Sequence, residues 1–144
     1  MNTNALRPYC RPLLIGSIPL RNHRQATELI LEATPEIPLW AQLPLYAQEG
    51  MMSQFLPGMP GYTSTEEREY VDTAAQDFES DLLAFYEDYM AVTEGEKSLD
   101  ATRFALDDTR AKGFSTLLTM VQERSLDLFA LKGQITGPIT FATG

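Results

Sequence analysis

The sequence predicts an α/β fold in which parallel strands alternate with helices. A short apolar run, Leu13–Ile15, ends at a Gly-Ser pair and is followed by a helical pattern and then by a second apolar run. A third apolar run, residues 128–136, ends in a Gly-Pro turn, which is typical of a buried parallel strand that delivers a loop to a sheet edge. A complete (β/α)8 barrel takes roughly 200 residues or more. The 144 residues therefore form either a smaller α/β domain or the front part of a larger one. We expect the N-terminal part of such a barrel, with about three strands plus helices in one partial domain.

The first helix is predicted between Asn22 and Pro35. Asn22 is a favourable N-cap, and Pro35 disfavours a helical residue before it. The expected inner stripe has the spacing i, i+3, i+4, i+7 and consists of Ala26, Leu29, Ile30 and Ala33. The second strand is predicted within residues 37–43 and is kept short by the flanking prolines. A strand–helix–strand crossover of this kind is nearly always parallel and right-handed.

The remainder of the chain divides by composition. Residues 1–11 are predicted to be a loose leader, and residues 46–65 a long loop rich in Met, Pro and Gly. Loops of this length in compact domains are usually functional lids or disordered linkers, and the apolar Met51, Phe55 and Met59 argue against a solvated linker. Residues 66–125 are predicted to be an acidic helical segment, and residues 128–144 the last strand and its loop.

Two helices are expected in the acidic segment. The first follows Thr73 and Gln76, which have the spacing of a capping box, and its apolar face consists of Phe78, Leu82, Phe85, Tyr86, Tyr89 and Met90. The second is predicted to begin near Asp107 or Asp108, and Arg124 near its end suits the helix dipole. The buried face expected for it consists of Phe114, Leu117, Leu118 and Val121.

Charge and cysteine content exclude several classes of function. The net charge is −9, which disfavours binding to nucleic-acid phosphates and to anionic membranes. Fourteen of the twenty acidic residues lie between Glu66 and Asp108, and solvated helix faces are the simplest explanation. A single cysteine, Cys10, excludes an internal disulfide and suits a reducing compartment. Since no signal peptide or membrane span is evident, we expect a cytoplasmic protein.

The candidate binding residues lie where the predicted strands end. Gly16 allows close approach of the backbone to a ligand, and Ser17 offers a hydroxyl and an N–H, although Gly-Ser-x-Pro is also an ordinary turn. Gln42 at the end of the second strand could bind a polar substrate or satisfy backbone groups. Residues 133–138 contain two glycines but lack the Lys-Ser/Thr ending of a phosphate loop. A tight turn at the end of the predicted strand is the simpler interpretation.

Titratable residues give little support for catalysis or metal binding. His23 is the only histidine, and its position in the first turn of a helix is more typical of a surface residue than of a proton carrier. Cys10 and His23 supply at most two zinc ligands, whereas a zinc site needs three or four. The pair Asp107-Asp108 is explained by helix capping. No metal site can be completed from these residues.

Taken together and in this order, four segments resemble the superfamily of cobalamin-independent methionine synthase and uroporphyrinogen decarboxylase. They are residues 15–19 (IGSIP), 35–44 (PEIPLWAQLP), 49–55 (EGMMSQF) and 132–140 (KGQITGPIT). The last is the most distinctive, and the set looks like the N-terminal portion of a methionine-synthase-like branch. The resemblance implies a (β/α)8 barrel and zinc-assisted methyl transfer to a thiol, with the zinc ligands in later strands of a longer parent.

The resemblance also implies a substrate site for a small thiol or amino acid. Its residues would be Ile15, Gly16 and Ser17, which match the segment that holds the amino-acid part of homocysteine, with Gln42 and the loop residues Gln134, Thr136, Gly137 and Pro138. The synthase has a glutamate at the end of its second strand, whereas this chain has Gln42, which carries no charge for an ammonium group. The decarboxylase branch uses arginines and an aspartate near its N-terminus, and the chain has no convincing match for that set.

Our first hypothesis is therefore an N-terminal fragment of a zinc-dependent, methionine-synthase-like methyltransferase that is inactive alone. The alternative is an independent binding module that self-associates, because three parallel strands leave two open sheet edges. A relative of uroporphyrinogen decarboxylase is the third hypothesis.

Overall fold

The computed structural model describes Arg7 and residues 9–143. The chain divides into two units: the first comprises Met1–Leu43 and Gly113–Gln134, and the second comprises Pro44–Lys112 and Ile135–Gly144. The elements in chain order are α1 (His23–Ala33), β1 (Tyr62–Ser64), β2 (Glu69–Val71), α2 (Phe78–Thr93), α3 (Lys112–Arg124) and α4 (Pro138–Thr143). Single 3-10 turns occur at Ala47–Glu49 and Leu99–Ala101.

The prediction of a partial barrel with three parallel strands is wrong. Within the described residues the regular strands are β1 and β2, which pair antiparallel with Thr63 opposite Tyr70. The described part of the chain is a small mixed α/β fold with two antiparallel strands and four helices. Among the described residues, the strand-type pairings between the three segments predicted as strands are isolated parallel bridges, Ser17 to Gln42 and Leu39 to Lys132.

Proline and glycine explain why these segments do not extend into ladders. Proline has no N–H to donate, and it stands at Pro12 and Pro19 around the first segment and at Pro38 and Pro44 around the second. Gly16 has φ +121°, which departs from extended strand geometry. What remains is a short set of bonds: Gln42 N–H donates to Gly16 O at 2.9 Å, and Ile18 N–H to Gln42 O at 3.0 Å.

The first unit has a compact apolar core. Its fully or almost fully buried side chains are Ala26, Ile30, Leu39, Trp40, Ala41, Leu43, Leu117 and Met120. Trp40 meets Phe114 edge to face, with ring centroids 5.4 Å apart. A Cβ on Gly113 would lie 1.8 Å from the Ala41 carbonyl oxygen, so α3 approaches the middle segment backbone to backbone. This close approach is possible only for glycine.

Helix α1 confirms the predicted cap but not the whole predicted stripe. Gln25 N–H donates to Asn22 Oδ1 at 2.9 Å, and the helix ends at Ala33 before Pro35. Leu29 and Ala33 are exposed, whereas the residues that are buried are His23, Ala26, Thr27, Ile30 and Leu31. The buried face is thus rotated toward His23 and Thr27, and the prediction of a surface His23 is wrong because its side chain is only 8% exposed.

The second unit contains the β1–β2 hairpin, α2 and α4. The predicted capping box is wrong: Asp72 Oδ1 accepts from Ala74 N–H at 3.0 Å, residues 73–77 stay outside the helix, and α2 begins at Phe78 after Asp77. Before α3, Ala111 N–H donates to the Asp107 backbone oxygen at 2.8 Å. Asp107 therefore forms a turn ahead of the helix, which begins five residues later at Lys112.

Candidate functional site

Ser17 and Gln42 lie side by side in the first unit. They form an isolated parallel bridge, so the ends of two segments that are 25 positions apart in the chain meet at one edge. Ser17 is exposed and its hydroxyl makes no hydrogen bond with a described residue, whereas Gln42 is half-buried. The Ser17 hydroxyl is therefore free to bind a polar ligand at this edge.

Gln134 belongs to the third of the bridged segments. The three bridged segments (residues 13–17, 37–43 and 128–134) are called the layer below. The backbone bonds stop with Lys132 N–H donating to Pro38 O at 3.0 Å, and the Gln134 side chain then reaches back, with Nε2 3.4 Å from Trp40 O. Its Oε1 is buried and has no hydrogen-bond partner among the described residues. This side-chain carbonyl is an unused acceptor near the end of the layer.

Gly16 adjoins Gln134 closely. A Cβ at Gly16 would lie 2.6 Å from Gln134 Nε2 and 2.7 Å from Leu39 Cδ1. Because any side chain there would overlap both neighbours, the glycine has a packing reason for its presence as well as the predicted ligand-binding one.

Strand geometry divides the candidate residues between two faces of the layer. Side chains of an extended segment alternate between faces, so Leu39 and Gln42, three positions apart, point to opposite sides. Ser17 shares the face of its bridge partner Gln42, and Gln134, two positions after Lys132, shares the face of Leu39. One small ligand can contact Ser17, Gln42 and Gln134 together only at the edge where the segments end.

The other predicted site residues are placed as follows. Ile15 lies in the first unit and is 86% exposed. Thr136, Gly137 and Pro138 belong to the second unit, where the Thr136 hydroxyl donates to Met51 O at 2.5 Å. Pro138 begins α4, and a Cβ on Gly137 would meet nothing within 4 Å. These three residues are accounted for by the local structure of their own unit.

Sequence reasoning overlooked Trp40, which stands in the middle of the layer. Trp40 is 3% exposed, and its indole Nε1 has no hydrogen-bond partner among the described residues. A buried indole N–H normally has an acceptor, so this donor and Gln134 Oε1 are two unsatisfied groups in one unit. Leu39, Trp40, Ala41 and Leu43 are all buried, so both faces of this segment are covered, and the run of apolar residues did not single out Trp40.

The most strongly coupled charged groups lie in the second unit. Arg110 makes a two-point ion pair with Glu69, and Tyr62 OH donates to Glu69 Oε1 at 2.7 Å. Arg110 also donates to Ser53 O at 2.8 Å. The hydrogen bonds from Arg110 lower the pKa of Glu69 from its ordinary value of 4.5 to about 2, while burial, followed by the bond to Glu69, raises the pKa of Tyr62. The two side chains are bonded to each other and to neighbouring groups of the same unit, so this pair is explained by its structural role.

A polar cleft of about 430 Å³ lies beside the hairpin. Ser53, Thr65, Arg68 and Glu69 are among its lining residues, and none of the predicted site residues is. The cleft is open and mixes both signs of charge, so it does not indicate a particular ligand.

The described residues do not fit the zinc that the resemblance implies. No three His, Cys, Asp or Glu side chains in this part of the chain lie close enough together to hold a metal ion. Cys10 is exposed and His23 is buried on α1. Within residues 7 and 9–143 there is also no helix that is long and apolar enough to cross a membrane.

Comparison of the chain with family models, curated proteins and solved structures found no match to any of them.

Proposed function

We propose that the chain binds the amino-acid part of a small thiol substrate at Ser17, Gln42 and Gln134, as part of a methionine-synthase-like methyl transfer. The observation that supports the proposal is the meeting of segments from three distant parts of the chain: Ser17 is bridged to Gln42, and Gln134 reaches Trp40 O beside Gly16. The resemblance of the same segments to that enzyme family suggests the substrate class.

The side chains of Ser17, Gln42 and Gln134 are suited to binding a ligand and not to catalysing a reaction. A free hydroxyl and two amides can donate to a carboxylate and accept from an ammonium group. Lys132, two residues before Gln134, donates from its ammonium group to Leu14 O at 2.6 Å. Since the described residues contain neither an activated nucleophile in this cluster nor a fitting metal site, no methyl-transfer step is assigned to them. A cytoplasmic location is part of the proposal, because one cysteine leaves no internal disulfide.

The first test is calorimetric titration of the purified chain with L-homocysteine, compared with 1-propanethiol, which lacks the amino-acid part. We expect binding of L-homocysteine only. Ser17→Ala should weaken it by at least about tenfold, because losing a hydrogen bond to a charged group costs about 1.5–3 kcal/mol. Ser80→Ala on α2, where the hydroxyl donates to Asp77 O, is the matched control and should have no effect.

Gln42→Glu gives an independent test of the orientation of the ligand. A carboxylate at this position strengthens the hold on an ammonium group, so the variant should bind L-homocysteine several-fold more tightly. The proposal is wrong if wild-type and both variants show no heat of binding, or if 1-propanethiol binds as tightly as the amino acid.

Self-association of the first unit is the second candidate function. Leu13, Ile15 and Leu131 are 53%, 86% and 45% exposed, and the bridged segments leave backbone groups unpaired at their edges, which favours addition of another extended chain. Light scattering after gel filtration should then show a dimer that Ile15→Lys converts to a monomer. A wild-type monomer at all concentrations would exclude this candidate.

A further inference from the structure

Helix α2 presents an apolar stripe that no described part of its own unit covers. Leu83, Tyr86 and Met90 are 66%, 55% and 48% exposed, and their spacing of i, i+3, i+7 places them on one helix face. A different face already packs within the unit: Phe85 is half-buried and meets Phe104 edge to face at 5.1 Å. Since α2 has no fully buried residue, an apolar partner on the outer stripe would supply the burial that the helix lacks.

Glutamates accompany this stripe along the helix. Glu79 precedes Leu83 by one helical turn, Glu87 follows it by one turn, and Glu94 follows Met90 by one turn, so all share its side of α2. All three are exposed, and their carboxylates form no ion pair with any described residue. The other two acids of the helix are already paired, Asp81 with Arg103 and Asp88 with Lys97.

These charges decide what kind of partner fits. A second copy of the chain would bring glutamates against glutamates, and α2 carries no Lys or Arg to offset them. Like charges placed opposite each other disfavour association. A partner helix with Lys or Arg beside an apolar stripe could pack its apolar side chains on the stripe of α2 and pair its cations with the glutamates. Amphipathic helices dock on apolar surfaces in this way.

We propose that the outer face of α2, formed by Leu83, Tyr86 and Met90 with Glu79 and Glu87, binds a basic amphipathic helix of another protein. The 16 residues of α2 span about 24 Å, which accommodates a partner segment of roughly four turns. The surface lies in the second unit and is independent of the substrate site proposed above.

The probe for this surface is a synthetic, fluorescein-labelled helical peptide of about sixteen residues, with a leucine stripe flanked by lysines. Its control is the same peptide with every lysine replaced by glutamate. In anisotropy titrations the chain should bind the lysine peptide, and the affinity should fall when NaCl rises from about 50 mM to about 500 mM. The glutamate peptide should not bind.

Variants locate the contact. Leu83→Ser combined with Tyr86→Ser should weaken binding by at least about tenfold, while Leu29→Ser, at a 48% exposed site on α1, should have no effect. Combining Glu79→Lys with Glu87→Lys should abolish binding of the lysine peptide and create binding of the glutamate peptide. All of these positions are exposed, and circular dichroism checks that each variant keeps its helix content.

Three results would overturn the proposal. Equal binding of the two peptides would indicate non-specific apolar contact, and full binding by the Leu83/Tyr86 double variant would place the contact elsewhere. A wild-type dimer in sedimentation that the same double variant converts to a monomer would show that a second copy occupies the face.

Discussion

Gly16 is the residue where backbone conformation, packing and the candidate site coincide. Its φ of +121° lies in a region that L side chains rarely adopt, and a Cβ would lie 2.6 Å from Gln134 Nε2 and 2.7 Å from Leu39 Cδ1. Conformational strain and steric overlap therefore both disfavour a side chain at position 16. Any larger residue must displace the Gln134 amide or the Leu39 side chain of the core.

Gly16→Ala should lower the free energy of unfolding by about 1–3 kcal/mol from backbone strain alone, with the overlap adding to it. Gly133→Ala is the matched control, because a Cβ there would meet nothing within 4 Å and its φ is not in the left-handed region. Urea titrations of both variants give the comparison. Equal midpoints for the two variants would contradict this account of Gly16.

At the scale of single residues the sequence was informative where the cause is local. The Asn22 cap depends only on a side chain and the N–H three residues later, and it was predicted. The burial of His23 depends on which face of α1 packs against the rest of its unit. The 3.6-residue period is compatible with both the predicted face and the observed one. The positions of Ser17 and Gln134 at the ends of their segments were also predicted. That their side chains lie on opposite faces of the bridged segments follows from the bridges, which no local sequence pattern specifies.

Among the elements, the hairpin and the segment before α3 are tied together by the Arg110–Glu69 pair. The side chains of Arg110 and Glu69 are only 14% and 17% exposed, and Gln54 Nε2 donates to the Arg110 backbone oxygen at 2.5 Å. Glu69 is thus held as a carboxylate by a partner 41 positions away. Breaking the pair leaves a buried charge, which costs more than an exposed ion pair contributes.

The pair makes stability depend on pH in a defined window. Because the pKa of Glu69 is about 2 in the folded chain and 4.5 ordinarily, its contribution is fully present above pH 4.5 and is lost as the pH falls toward 2. The lost contribution is up to about 3 kcal/mol. Glu69→Gln should flatten the decline of stability between pH 5 and pH 2, whereas Glu67→Gln in the same hairpin should not; urea midpoints across this range measure it, and identical profiles would contradict the prediction.

The three long helices were predictable as elements, whereas α4 and the strands were not: α4 (Pro138–Thr143) lies in residues that were predicted to be the last strand and its loop. The helical periods lie within α1, α2 and α3 to within a few residues, since each helix extends over eleven residues or more. Strands β1 and β2 have three residues each, too few for an alternation to be recognised beside the charged turn Glu66–Arg68. The apolar runs that predicted strands instead form bridges, because prolines remove the donors that a ladder needs.

For the whole molecule, burial is distributed unevenly between the two units. Ala26, Ile30, Leu39, Leu43 and Met120 in the first unit are completely buried, whereas α2 in the second has no buried residue. Local opening is easiest where few apolar contacts are lost. The two units should therefore differ in resistance to opening, although they belong to one chain.

Hydrogen exchange followed by mass spectrometry measures this difference. Peptides covering α1 and residues 37–43 should stay protected at least about tenfold longer than peptides covering α2, because opening them exposes the apolar core. Uniform protection across both units would show that the chain unfolds only as a whole. Slower exchange in α2 than in α1 would contradict the argument outright.

The overall architecture was the least predictable level. The resemblance and the apolar runs both suggested a barrel, and the structure has isolated bridges and an antiparallel hairpin. Division into two units depends on contacts between residues far apart in sequence, such as Arg110 with Glu69 in one and Gly113 with Ala41 in the other. Neither composition nor periodicity carries information on such pairs.

The isolated bridges have a practical consequence for handling the protein. Around Leu13–Ser17 some backbone donors and acceptors have no backbone partner among the described residues and lie at an exposed edge. Pro12 and Pro19 stand near its two ends. A proline has no N–H to donate to a growing ladder, so Pro12 and Pro19 limit the addition of a further extended chain to the short stretch between them. Replacing them would remove that protection, and turbidity in concentrated, warmed solutions would be the first sign.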